Sequence, residues 1–369
     1  MLDERKRKIL KEIVDEYIET AEPVSSAVIA EKYEPDISSA TVRNTMADLE
    51  KEGYLEKTHT SSGRVPSAKG YRLYVDELLK YDNISLEEIK YIQEKLENKA
   101  NGIEELTKIA TTTLSEITHY TTVSIGPKTS GQIIEEIKFV LLGSRMLMGI
   151  IVTDSGLVKE TIIKFDEDIT AEQVDTLNYF FNNKLKGEPI EKIDDSLEKY
   201  IFRELKYSIN IIRPIIEQMK KLIEEEEKIY LEGANKSFEL PEFQSLALAK
   251  NFVNILDTKE VMRDILNTGF AEDIQIYIGD ENENEDLKDF SIVTFKHSVG
   301  DKDLGTIGII GPKRMNYSKV ISVMKYISNK LNNSEKEDNE EDKDGRKWKY
   351  WEQWNSRNHW QDRKRISSI

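Results

Sequence analysis

The 369-residue chain reads as an α+β multidomain protein. Two observations predict that class. The first eighty residues hold three capped helical runs followed by two short extended pieces. Beyond them, strand-like runs are interrupted by a long helical block and then resume, the pattern of an α/β domain that carries an insert. The length fits two or three domains.

The first helix is predicted over about Asp3–Thr20, because Ile9, Leu10, Ile13, Val14, Tyr17 and Ile18 recur at helical spacing and form one apolar stripe. Pro23 ends that segment. A short second helix starts at Ser25 or Ser26, hydroxyls suited to capping, and carries Val28, Ile29 and Tyr33. Pro35 and Asp36 mark a turn. Ser38 or Ser39 then caps a third helix that runs to Glu52, and Gly53 closes it. Extended pieces at Tyr54–His59 and Arg64–Pro66 flank Thr60-Ser-Ser-Gly63. Three helices and a hairpin in this order make a winged helix-turn-helix, assigned to residues 1–80.

From Tyr81 to Tyr120 the apolar residues again fall at helical spacing, broken at Asn101-Gly102. Strands are predicted at Ile133–Leu142, Met146–Val152 and Val158–Phe165, joined by tight turns as an antiparallel meander. Helical pattern returns from Ile169 to Ile229, with Pro214 opening or kinking a helix, and recurs at Phe243–Asp257 and Lys259–Asn267. Strands follow at Ile274–Ile278, Phe290–Phe295 and Thr306–Ile310, before a last helix over Tyr317–Leu331. On this reading residues 81–165 and 228–332 form one α/β domain with a helical lead-in, and residues 166–227 are inserted in it. Residues 333–369 are a tail, acidic from Glu335 to Asp344, then basic with Trp348, Trp351, Trp354 and Trp360. Its composition predicts disorder.

Composition excludes several classes. With no cysteine there can be no disulfide, thiolate zinc site, iron–sulfur cluster or cysteine nucleophile. No apolar run approaches a membrane span, and the amphipathic N-terminus lacks a signal core, so a cytoplasmic protein is expected. A net charge of −16 opposes nucleic acid in sum but not in distribution. Lys57, Arg64, Lys69 and Arg72 fall in a stretch that contains no carboxylate, while acid collects at Glu224–Glu227 and Asp280–Asp289.

The third helix carries the candidate chemistry. Val42, Met46 and Leu49 lie on one side; Ala40, Asn44, Ala47 and Lys51 lie opposite, with Arg43 on the flank. Small alanines let a helix sit close in a groove, and Arg43 and Asn44 supply donors that read guanine and adenine edges. Ser38, Ser39 and Thr41, at the helix start, suit phosphate. His59, Thr60, Ser61, Ser62, Gly63 and Arg64 form a short polar tip of the kind that enters a minor groove. Lys69 and Arg72 extend the basic patch toward the phosphates. A solvated amphipathic helix and an ordinary surface hairpin would have the same local patterns; it is their succession that favours DNA.

The runs Ser38-Ser-Ala-Thr-Val-Arg-Asn44, Met46-Ala-Asp-Leu-Glu50, His59-Thr-Ser-Ser-Gly-Arg-Val-Pro66 and Gly70-Tyr-Arg-Leu-Tyr-Val-Asp76 resemble the heat-inducible transcription repressor family, HrcA. So do Tyr230-Leu-Glu-Gly233, Pro241-Glu-Phe243 and Gly305-Thr-Ile-Gly-Ile-Ile-Gly-Pro312. The resemblance covers about residues 1–332 and leaves the tail unexplained. It implies a winged helix, a GAF-like domain and a dimerising domain inserted into it. It also implies a stress-response repressor that holds the CIRCE inverted repeat before chaperonin and DnaK-class genes, is released on heat stress, and has its active state modulated by the chaperonin. An inverted repeat independently calls for a two-fold dimer. Ile201, Leu205, Ile212, Ile215 and Met219 read either as its face or as core.

Other motifs fail on spacing. Gly305-x-x-Gly308-x-x-Gly311 lacks the dinucleotide spacing and reads as strand. Asp280-x-Asn-x-Asn284 starts like a calcium loop but has Glu285 at the glycine position. No catalytic motif occurs, so neither an enzyme nor a cofactor is expected. Two other readings stay open: an effector-binding regulator, and an adaptor that works without DNA.

Overall fold

The computed structural model describes residues 2–57, 63–79, 84–97, 103–205, 209–224, 227–267, 274–299 and 302–333. The expectations for His59–Ser62 and for the tail after Asn333 lie outside the described residues.

Helix α1 (Glu4–Thr20) is capped by Asp3, which accepts from Lys6 N at 2.8 Å, and it buries Ile9, Leu10, Ile13 and Val14. Helices α2 (Ser26–Lys32) and α3 (Ser39–Lys51) start at the caps Ser25 and Ser38. Gly53 adopts φ +81°, and the bonds Tyr54 N to Leu49 O and Gly53 N to Glu50 O close α3 in a Schellman turn. Strands β1 (Leu55–Lys57) and β2 (Arg64–Pro66) pair antiparallel, Leu55 opposite Pro66. Helix α4 (Ala68–Leu73) follows, prolonged by a π turn through Leu78.

After α5 (Leu86–Glu97) and α6 (Ile103–Thr118) comes β3 (Thr121–Ile125). The meander is β4 (Ile134–Gly143), β5 (Met146–Thr153) and β6 (Val158–Lys164), and α7 (Ala171–Leu185), α8 (Asp195–Leu205) and α9 (Ile209–Glu224) succeed it. The chain continues through β7 (Ile229–Glu232), α10 (Ala234–Ser237), α11 (Leu246–Asp257), α12 (Lys259–Asn267), β8 (Gln275–Ile278), β9 (Phe290–Val299), β10 (Lys302–Pro312) and α13 (Tyr317–Asn333). Among the described residues no helix is long and apolar enough to cross a membrane.

Two larger sheets result. The first is five-stranded and antiparallel, ordered β7-β3-β10-β9-β8. Helices α6 and α13 share a core with Phe295, Ile307 and Ile309 on one face; α11 and α12 pack with Val123, Ile292 and Ile310 on the other. Strand β3, which the sequence reading passes over, sits between β7 and β10 and is buried along its whole length. Its Ser124 hydroxyl accepts from Thr111 of α6 at 2.7 Å, so polar residues are at home there.

The second sheet is the meander alone, ordered β4-β5-β6. It was expected to belong with residues 81–165, but its inward residues Ile137, Phe139, Leu147, Ile151 and Ile163 share one core with α7, α8 and α9. The meander therefore packs with the helical block rather than with the five-stranded sheet. Asn178 and Asn182, one turn apart on α7, bond the outer backbone edge of β4: Phe139 N donates to Asn178 Oδ1 at 2.6 Å and Ile137 N to Asn182 Oδ1 at 3.0 Å. The edge is thereby closed to other strands. Of the residues read as dimer face or core, Ile201, Ile212, Ile215 and Met219 are core, buried against the meander within the single chain.

Candidate nucleic-acid interface

Helix α3 presents the face that the wheel predicts. Val42, Thr45, Met46 and Leu49 are buried, whereas Ala40, Arg43, Asn44 and Lys51 are exposed and Ala47 is half-buried. Thr45 tolerates burial because its hydroxyl donates to Thr41 O at 3.1 Å. Among the described residues the Arg43 and Asn44 side chains make no hydrogen bond or ion pair. They are free for a ligand.

The hydroxyls at the helix start are already at work. Ser38 Oγ accepts from Thr41 N at 3.2 Å and lies 2.9 Å from Thr41 Oγ1. Ser39 Oγ meets Ser26 Oγ at 3.1 Å, which ties the start of α3 to the start of α2. Ser38 remains exposed, while Ser39 and Thr41 are half-buried. Ser38 and Thr41 thus close the first turn of α3, and Ser39 fixes that turn against α2.

The cations of the expected basic patch separate. Arg64 turns inward: its Nε donates to Glu50 Oε2 on α3 at 2.8 Å, with its side chain only 15% exposed. Gly63 is buried at the hairpin base, where a Cβ would lie 2.6 Å from Pro23 O, so no larger residue fits without shifting the backbone. Burial pushes the Glu50 carboxyl up, but Arg64, and Lys57 at 3.4 Å, outweigh it and hold it below the usual carboxylate range. Lys69 donates to Glu52 O at 2.7 Å at the end of α3 and lies 4.3 Å from the centre of the Tyr54 ring. It caps the negative end of the helix. Arg72 points away from α3 altogether, donating to Glu281 Oε1 at 2.7 Å and to Ile276 O at 2.6 Å. Sign and position in sequence could not separate a phosphate contact from these roles.

Three further residues matter. Lys6 of α1 reaches Glu52 at 2.6 Å and Asp48 at 3.7 Å, so it offsets the carboxylates at the lower end of α3. Lys51, exposed on the same face as Asn44, and Lys57, 63% exposed at the hairpin base, are the cations best placed to reach outward. The wheel and the local charge count signalled both.

Comparison with known proteins gives a consistent result. A family model described as "HrcA protein C terminal domain" matches residues 104–321. The chain is 41% identical over 337 residues to the heat-inducible transcription repressor HrcA of Ruminiclostridium cellulolyticum, covering 90% of this chain and 97% of that protein. It is 37% identical over 334 residues to the protein of that name in Acetivibrio thermocellus, covering 89% and 95%. A crystal structure described as a hypothetical protein is similar at 25% identity with a TM-score of 0.62, covering 90% of this chain and 98% of the other.

Proposed function

The chain belongs to the heat-inducible transcription repressor HrcA family, which are repressors and not enzymes, and on that premise we propose that it is a sequence-specific DNA-binding repressor of chaperone operons. It holds a CIRCE-type inverted repeat as a homodimer in the cytoplasm and releases it on heat stress, with the chaperonin modulating its active state. Residues 2–79 are the winged helix-turn-helix, α3 is the helix that enters the major groove, and β1 and β2 are the wing. The five-stranded sheet with its helices is the GAF-like domain, and the insert runs from the start of the meander to the end of α9.

One observation carries the reading: Arg43 and Asn44 are exposed and without partners on a face shared with Ala40, Ala47 and Lys51, while Arg64, Lys69 and Arg72 nearby are engaged. Direct base readout needs free bidentate donors on a surface that can approach closely. Ser38, Thr41, Lys51, Lys57 and the hairpin residues His59–Ser62 serve the phosphates and the minor groove. Arg64 acts first as the strut that aims the wing.

The dimer face is the open side of the meander. Val140, Leu142, Val158 and Ile162 are large, apolar and exposed there, while the helices cover the other side. Cross-strand neighbours form the rows Val140-Met148-Ile162 and Lys138-Ile150-Glu160. A two-fold axis along β5 lays each row over its own reverse, bringing Lys138 over the partner's Glu160. In these two rows a second copy of this chain supplies both the apolar and the charged match. Binding to single-base variants of the inverted repeat, compared between the natural chain and Arg43→Ala, tests the reading: contacts at α3 require a loss confined to particular base pairs.

A further inference from the structure

We infer that Arg72 and Arg314 are positioning residues: they fix residues 2–79 on the five-stranded body and so set the half-site spacing at which a dimer binds DNA. The inference rests on the preceding reading that α3 meets DNA and that two copies act together.

Arg72 sits at the end of α4 and spends its whole guanidinium on this joint. Nε donates to Glu281 Oε1 at 2.7 Å, and one terminal nitrogen reaches Glu281 Oε2 and, at 2.6 Å, Ile276 O. The other reaches Asp76 at 3.1 Å. Glu281 is itself anchored, accepting from Ile278 N at 2.8 Å. The acceptors on the body are therefore a fixed carboxylate and a strand carbonyl rather than swinging side chains.

Arg314, 11% exposed, forks onto Glu242 and donates a third bond to Ile18 O. Ile18 lies in the last turn of α1, where carbonyls have no donor within the helix. That turn contains no basic residue of its own. The cation that the negative end of α1 favours is thus supplied by the body.

Between the two forks lies an apolar contact. Tyr71 packs on Tyr317 with ring centres 5.9 Å apart, both fully buried. Apolar surfaces resist separation but have little directional preference. A guanidinium forked onto a carboxylate is directional. The Arg72 fork onto Glu281 crosses the joint itself. The Arg314 fork onto Glu242 lies within the body and aims its third bond across the joint at Ile18 O. The reading unit is therefore held at two separate points. In a two-fold dimer the orientation of each reading unit decides the distance between the two α3 helices, which must match a half-site separation of about one helical turn or a multiple of it.

The test uses the full-length protein on duplexes whose half-sites are moved apart one base pair at a time, and on a duplex with a single half-site. Glu281→Gln and Glu242→Gln alter only the body. Both should hold the single half-site within about twofold of the natural chain yet lose about tenfold or more of the discrimination between the best spacing and its neighbours. Combining Arg72→Glu with Glu281→Arg should restore the sharp profile. If Glu242→Gln does not fold, Glu281→Gln, whose arginine partner is part-exposed, decides alone. A sharp natural profile that the variants share overturns the inference. So does a loss of half-site affinity in Arg72→Gln without one in Glu281→Gln, which would make Arg72 a direct DNA contact. A natural chain that does not distinguish the inverted repeat from a scrambled duplex refutes the operator reading and this inference with it.

Discussion

Arg64 Nε donates to Glu50 Oε2 across 2.8 Å, and this bond joins the hairpin to the helix whose outer face carries Arg43 and Asn44. The two elements expected to touch DNA are thus held as one piece, at an angle set by a partly buried ion pair.

The pair has a pH signature. Glu50 is depressed in the folded chain, so its stabilising contribution is present above the unfolded carboxylate pKa and is lost as the pH falls through the lower, folded one. Because the pair is part-exposed, Glu50→Gln should cost at most about 1 kcal/mol. Thermal melts of both proteins should differ by a constant amount from neutral to mildly acidic pH and converge only in stronger acid. A gap that widens on acidification would contradict the assignment.

Arg43→Ala and Asn44→Ala should each relax discrimination at particular base pairs by about 1–3 kcal/mol, read by competition gel shift. Lys69→Ala should behave differently. Its ammonium caps α3 through Glu52 O, so the variant should melt earlier as well as bind less tightly. An unchanged melt with a flatter salt dependence would return Lys69 to the phosphates.

Tyr71 is buried at the joint, and its hydroxyl has no hydrogen-bond partner among the described residues. A buried unsatisfied hydroxyl costs about 1–3 kcal/mol. Tyr71→Phe should therefore leave the urea midpoint level or raise it. A fall would show that the hydroxyl has a use in the folded chain.

Lys138→Glu should weaken self-association by about tenfold or more, because the two-fold axis repeats each unfavourable contact. Adding Glu160→Lys should recover it. Sedimentation equilibrium reads both, and a dimer indifferent to either charge would place the interface elsewhere.

Much of this was legible in the chain, for reasons that are local. Ser25, Ser38 and Gly53 announce helix ends because capping is decided within four residues. The outer face of α3 follows from spacing alone. What was not legible depends on distant partners. Thr121–Ile125 is passed over because its threonines and serine look polar, and nothing nearby reveals that Thr111 and Ser237 will bond its hydroxyls and backbone. Ile229–Glu232 follows a run of glutamates and reads as the end of a helix, but it pairs with β3. The meander strands look the same whichever core they join, so the start of the insert could not be placed. Arg72 is a basic residue in a basic stretch until Glu281, 209 positions later, claims it.

The proposed repressor depends on reading one DNA sequence as a symmetric pair. Gel shift of the purified protein on an inverted-repeat duplex and on a scrambled duplex of the same composition, at one stated salt concentration, tests it most directly. Preference for the inverted repeat by about a thousandfold or more is expected. Equal affinity for the two duplexes would contradict it.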